Sequence, residues 1–279
     1  MLRRMPHERR EGSVKQNREW QLLASIENMY REILGNTLKG FYVHGSLAFG
    51  CFRWEISDVD FIAVTNRSLT LSEKTKIIRG LLSQESSGPP KGLEMSVVQQ
   101  DVTNPVVYPT PYELHYSAAH RMEFLADMEG TCMRMQGTDR DLAAHFAVIR
   151  QVGIKVWGKP IKEMFGPVPR DAYEDSIRRD AQDALLEISQ RPVYAILNLC
   201  RVLAFERQGL VLSKKGGGEW GMKHLPPEYG EVVRAAYEYY IGSGGGDLQK
   251  DQLRRIAGYM KKELERNVGK GLDKMEVPE

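Results

Sequence analysis

Apolar residues recur along this chain with two different periods. From about Val14 to Leu34 the residues Trp20, Leu22, Leu23, Ile26, Met29, Tyr30 and Ile33 fall at helical spacing, and Gly35 closes the run. Strand-length apolar runs follow at about 40–44, from Asp58 to Val64 and from Leu93 to Val98. Thr70 to Leu82 reads as a helix and SQESSGPPKG as a loop, so strand–helix–strand order predicts a mixed α/β first half. The prolines at 105, 109 and 111 in VTNPVVYPTPYELHY predict an ordered surface loop without regular structure. From Asp139 onward helical spacing dominates, in DRDLAAHFAVIRQVG, DAYEDSIRRDAQDALLEISQ, PVYAILNLCRVLAFERQG, PPEYGEVVRAAYEYYIG and KDQLRRIAGYMKKELERNV.

These periods predict an α/β domain with a mixed sheet over 15–162, then an all-α helical bundle over 163–267. Residues 1–14 read as a disordered basic leader and 268–279 as a frayed tail. The glycine triplets at 216–218 and 244–246 read as hinge or loop material.

Composition narrows the function classes. With 39 basic against 37 acidic residues, the net charge of +2 offers no general attraction for nucleic acid. No apolar run reaches signal-peptide or membrane-span length, so the expected location is cytoplasmic. Cys51, Cys132 and Cys200 are too few and too scattered for a disulfide framework or a zinc site.

The candidate chemistry lies where the first two apolar runs meet, in GFYVHGSLAFGCFRWEISDVDFIAVT. Strand alternation puts Asp58 and Asp60 on one side while Val59 enters the core. Two neighbouring carboxylates repel unless a hard cation lies between them, and Mg²⁺ takes one or two carboxylates together with phosphate oxygens. Gly45 lets the backbone approach a phosphate, and Ser46 adds a hydroxyl donor. Each half of this pattern alone is commonplace, a turn or a solvated strand start. Together they read as a site for metal-assisted nucleotidyl transfer. Glu94, near the start of the third strand, can stand beside the two aspartates as a proton acceptor or a further metal ligand.

The helical half offers weaker signals. Arg201 interrupts the apolar run LNLCRVLAF and must reach solvent, pair with an acid or bind an anion. Lys214, read in a glycine-rich turn, is a mobile point charge suited to phosphate. Tyr240, in the YEYY cluster, reads by spacing as core. Trp220 reads as a buried loop anchor, and His44, His120 and His145 form no metal-ligand spacing.

Taken in order, GS, SDVDFIAV, GLEMSVV, YPTPYELHY, LNLCRVLAFERQGLVLSKK and EWGMKHLPPEYGEVVRAAYEYYIG make the chain resemble the aminoglycoside adenylyltransferases that inactivate spectinomycin and streptomycin. The resemblance covers about Leu38 to Tyr240, and its fold is the polymerase-β type of nucleotidyltransferase. It implies that Ser46 contacts ATP phosphates, that Asp58 and Asp60 hold magnesium (two ions), and that Glu94 is the base with a possible metal contact. It also implies that Arg201, Lys214 and Tyr240 reach the nucleotide. The partners implied are ATP and a small cationic antibiotic held in an interdomain cleft, with a monomeric enzyme and neither nucleic acid nor membrane as partner. One departure bears on the drug. Members that accept streptomycin carry a tryptophan and an aspartate before the arginine-bearing helix, where this chain reads ALLEISQRPVYAIL. Spectinomycin is therefore the expected substrate. An adenylyltransferase acting on a protein or nucleic acid, as toxin–antitoxin nucleotidyltransferases do, and a non-catalytic nucleotide-binding relative remain as alternatives.

Overall fold

The structure is a computed structural model that describes residues 17–245 and 247–267. The leader at 1–14 and the tail at 268–279 lie outside the described residues. The chain forms two compact units.

The first unit is built on a five-stranded mixed sheet. Helix α1 (Arg18–Leu34) leads into β1 (Leu38–Val43), a single turn of helix α2 (Gly45–Ala48), and β2 (Val59–Thr65). Helix α3 (Leu71–Gln84) then carries the chain to β3 (Leu93–Gln99). Two three-residue strands follow, β4 (Thr110–Tyr112) and β5 (Leu114–Tyr116), then short helices α4 (Arg121–Ala126) and α5 (Met128–Arg134), and strand β6 (Gly137–Asp139). After α6 (Asp141–Val152) come β7 (Ile154–Gly158) and α7 (Ile161–Met164). Strand order is β5-β3-β2-β1-β7, with β2 and β3 parallel and the other pairs antiparallel.

One face of this sheet carries the core. Phe41, Phe61 and Met95 pack with Leu23, Ile26 and Tyr30 of α1 and with Ile77, Ile78 and Leu81 of α3. The rings of Phe41 and Phe61 stack at 4.7 Å, and the buried Tyr30 hydroxyl donates to Met95 Sδ at 3.3 Å. Helix α3 starts where the sequence signals it. Thr70 and Glu73 form a reciprocal capping box, which satisfies two backbone donors at the helix start.

The second unit is helical and comprises α6 with α8 (Arg170–Glu187), α9 (Pro192–Gln208), α10 (Lys214–His224), α11 (Pro227–Ile241) and α12 (Lys250–Asn267). Helix α9 is its axis. Pro192 opens it, Gly209 closes it in the left-handed region at φ 67°, and its apolar residues are buried on every side. It packs against α8, α10, α11 and α12, while α6 packs on α8.

Three expectations need correction. The proline-rich segment is not devoid of regular structure, because β5 pairs with β3 in the register Ser96↔His115. The prolines precede Leu114, so they do not touch that ladder. The run from Asp139 is not purely helical either. Ile154–Gly158 returns as an edge strand on β1, with Phe41 opposite Trp157, so the units interleave and the chain is not cut once at 162/163. Finally, Gly216–Gly218 is no hinge. All three residues lie in helix α10, although each glycine costs about 1 kcal/mol of helix propensity. Packing offsets that cost. A Cβ at Gly217 would lie 2.8 Å from both Arg201 Cγ and the Leu197 carbonyl oxygen, and one at Gly221 would lie 2.6 Å from Cys200 Sγ. The bare face lets α10 sit directly on α9.

Candidate active site

Backbone pairing builds the acidic cluster. In the parallel β2–β3 ladder Asp60 is the direct partner of Glu94, and side chains in register on adjacent strands leave the sheet on the same face. Their neighbours Val59, Phe61, Leu93 and Met95 are buried on the other face, while Asp60 and Glu94 are half-buried. Asp58 lies two residues before Asp60 and joins them. A ligand oxygen from each of Asp58, Asp60 and Glu94 lies within 4.8 Å of the other two, and this is the one such three-ligand group among the described residues.

The Gly-Ser turn stands at the same edge. The His44 N–H donates to the Asp60 carbonyl at 3.0 Å, which brings the end of β1 alongside the start of β2. Gly45 has φ 59°, and a Cβ there would fall 1.8 Å from Asp60 Oδ2. Only glycine leaves this carboxylate its place. Ser46 Oγ is buried and has no hydrogen-bond partner. A buried hydroxyl without a partner costs free energy, so it points to a ligand that the protein alone does not supply.

Sequence reading missed one member of this cluster. Lys91 Nζ lies 2.7 Å from Asp58 Oδ2. The residue sits in the loop SQESSGPPKG, where nothing in composition or spacing marks it as a partner of an acid 33 positions earlier.

In the helical unit Arg201 reaches Asp180 and Asn198. Its Nε donates to Asn198 Oδ1 at 2.9 Å and one terminal nitrogen donates to Asp180 Oδ2 at 3.2 Å. Tyr194 donates to the other Asp180 oxygen at 2.9 Å. Burial, with the Asp180 carboxylate beside it, pushes the Tyr194 phenol well above its ordinary range. Lys214 is not in a turn. It is the first residue of α10, capped by Ser213, and its ammonium lies 4.9 Å from the Tyr194 ring centre. Arg201 and Lys214 are thus gathered around Tyr194 and Asp180, and neither of these was evident in the sequence. Tyr240 lies half-buried on α11. Trp220 is buried and donates to Gln208 at 3.0 Å, as an anchor should.

The first unit thus combines a mixed sheet with a glycine-serine turn beside acids from two adjacent strands, the arrangement expected of a nucleotidyltransferase fold. Comparison with known proteins narrows the class. The model of the aminoglycoside adenylyltransferase C-terminal domain matches residues 163–263. An aminoglycoside (3'') (9) adenylyltransferase of Escherichia coli is 25% identical over 89% of this chain and 98% of its own length. A spectinomycin 9-adenylyltransferase of Enterococcus faecalis is 20% identical over 80% of this chain and 88% of its own. Among solved structures, an Enterococcus spectinomycin adenyltransferase in complex with ATP and spectinomycin superimposes with a TM-score of 0.74 at 18% identity, covering 88% of this chain and 99% of that one. The chain is thus similar over most of its length to aminoglycoside adenylyltransferases, and its residues 163–263 match the C-terminal domain of that family.

Proposed function

We propose that the protein transfers AMP from ATP to a hydroxyl of an aminoglycoside-type antibiotic, spectinomycin being favoured, and thereby confers resistance. The observation that carries this reading is the Asp60–Glu94 pairing with Asp58 beside it. Three carboxylates converge on a point bordered by a phosphate-compatible turn and an unsatisfied serine hydroxyl. Names of relatives and the ligands of the neighbouring structure support the same chemistry.

Asp58, Asp60 and Glu94 fit a magnesium site, because hard oxygen donors in this number suit Mg²⁺ shared with phosphate oxygens. Bound there, magnesium would neutralise the charge that develops on the triphosphate. The protein's own groups do the rest. Ser46 and the adjoining backbone bind phosphate oxygens. Glu94 accepts the proton of the acceptor hydroxyl as its oxygen bonds to the α-phosphorus, the bond to the β-phosphate breaks and pyrophosphate leaves. Arg201, Lys214 and Tyr240 bind the nucleotide.

Spectinomycin is favoured over streptomycin because the α8–α9 connection presents Arg191, paired with Glu187 at 3.2 Å, where a doubly guanidinylated drug would need acids. Incubation of the protein with ATP, Mg²⁺ and a panel of aminoglycosides tests the proposal. Pyrophosphate release that depends on spectinomycin is expected. Release that is independent of every drug in the panel would refute it.

A further inference from the structure

Lys91 has no role in the reaction described above, yet its ammonium lies on a member of the acidic cluster, 2.7 Å from Asp58 Oδ2. The loop holds it there. Gly92, at φ 90°, closes a turn by donating its N–H to the Pro89 carbonyl at 2.8 Å. The Gly92 carbonyl in turn accepts from the Val59 N–H at 3.1 Å. The backbone beside each member of the ion pair is therefore fastened, at Gly92 next to Lys91 and at Val59 next to Asp58, while the lysine side chain is 43% exposed. A pair this exposed contributes little to folding, which leaves its position beside the cluster unexplained by stability.

Resting on the metal reading of this cluster, we propose that Lys91 is a tethered cation that couples metal binding to nucleotide binding. An ammonium and a divalent ion repel each other and compete for the same Asp58 oxygen. A free metal ion must therefore displace Lys91 into water, with no anion to take the place of the Asp58 carboxylate as its partner. A metal–nucleotide complex brings a polyanionic triphosphate that accepts the displaced ammonium. Lys91 thus disfavours loading by free metal and favours loading by the metal–nucleotide complex, and because binding linkage is reciprocal, bound metal strengthens nucleotide binding by the same factor.

The test uses the full-length protein with Mn²⁺ as the probe. Binding is followed by the electron paramagnetic resonance of free Mn²⁺, with and without a non-hydrolysable ATP analogue. In the absence of nucleotide, Lys91→Met is expected to bind Mn²⁺ about fivefold more tightly than wild type or better. The gain in Mn²⁺ affinity on adding the analogue should shrink by a similar factor, and Lys91→Arg should restore wild-type behaviour. Asp60→Asn serves as the control. If Asp60→Asn abolishes Mn²⁺ binding while Lys91→Met binds as wild type does in both conditions, the coupling role is overturned and the metal site stands. If Asp60→Asn binds Mn²⁺ like wild type, the metal reading fails and the role of Lys91 falls with it.

Discussion

The carboxylates of the sheet are placed by backbone pairing, whereas the cations of the helical unit are placed by other side chains. Asp60 and Glu94 face each other because β2 and β3 are in register, and the register is held by buried neighbours such as Phe61 and Met95. Arg201 is held by Asp180 and Asn198, and Asp180 is itself engaged by Tyr194. A register survives the loss of any one functional side chain. A side-chain network does not. Substitutions in the first cluster should therefore cost chemistry and spare the fold, while those in the second should shift geometry and binding together.

The largest effect is expected at the carboxylates. Asp58→Asn and Asp60→Asn should each leave less than about a tenth of wild-type turnover, since the metal clamp proposed for them would be worth several kcal/mol, with an unchanged thermal midpoint. A midpoint that falls with activity would show that the acids also hold the sheet. Next comes Gly45→Ala. Its left-handed backbone adds about 1–2 kcal/mol of strain, and its Cβ would force Asp60 aside, so calorimetry and turnover should both decline. The contrast between this variant and Asp60→Asn separates placement of the carboxylate from the carboxylate itself.

For the helical unit, Asp180→Asn removes the charge opposite Arg201. Arg201 stays tied to Asn198 but loses its orientation, and the expected result is about a tenfold rise in the KM for ATP with a smaller change in kcat, equivalent to about 1.4 kcal/mol of binding. An unchanged KM would mean that Asn198 suffices. The glycines of α10 sharpen the point further. Gly217→Ala should destabilise by about 1–3 kcal/mol through overpacking against Arg201 and Leu197. Gly216→Ala meets only ordinary contacts at 3.5 Å and should stabilise by about 0.5–1 kcal/mol. Thermal denaturation of the two variants reads opposite signs.

The smallest effect is at a purely structural pair. The Arg67 guanidinium, seconded by the Thr70 N–H and hydroxyl, holds the Glu73 carboxyl down to about 2. A carboxyl with a depressed folded-state value contributes stability that is complete above the unfolded value of about 4.3 and is lost as pH falls toward about 2. Acid titration of Glu73→Gln should show a shallower loss of stability than wild type over that window, and identical slopes would dismiss the pair as a contributor.

The two clusters also differed in how far the sequence revealed them. Alternation along SDVDFIAV and LEMSVV is a local signal, so Asp58, Asp60 and Glu94 could be read as candidates from single strands. Their pairing required only that the strands be neighbours. Lys91, Asp180 and Tyr194 act through contacts made by folding, and no local period encodes those. The glycine triplet misled for a related reason. Flexibility is the isolated preference of glycine, but here the absence of a side chain is what allows α10 to approach α9. Strand β7 was hidden because its short run IKVWG follows a strongly helical one, and only pairing with β1 distinguishes it.

The central claim is that the register-built acids carry out adenylyl transfer, with Glu94 as the base. The most direct test is one experiment with wild type, Asp60→Asn and Glu94→Gln, in which bound nucleotide and the mass of spectinomycin are measured in the same samples. Wild type should add one adenylyl group to the drug. Glu94→Gln should bind nucleotide nearly as wild type does and form product about 10²- to 10⁴-fold more slowly, and Asp60→Asn should form almost none. Adenylylated spectinomycin appearing at wild-type rate in either variant would contradict the account.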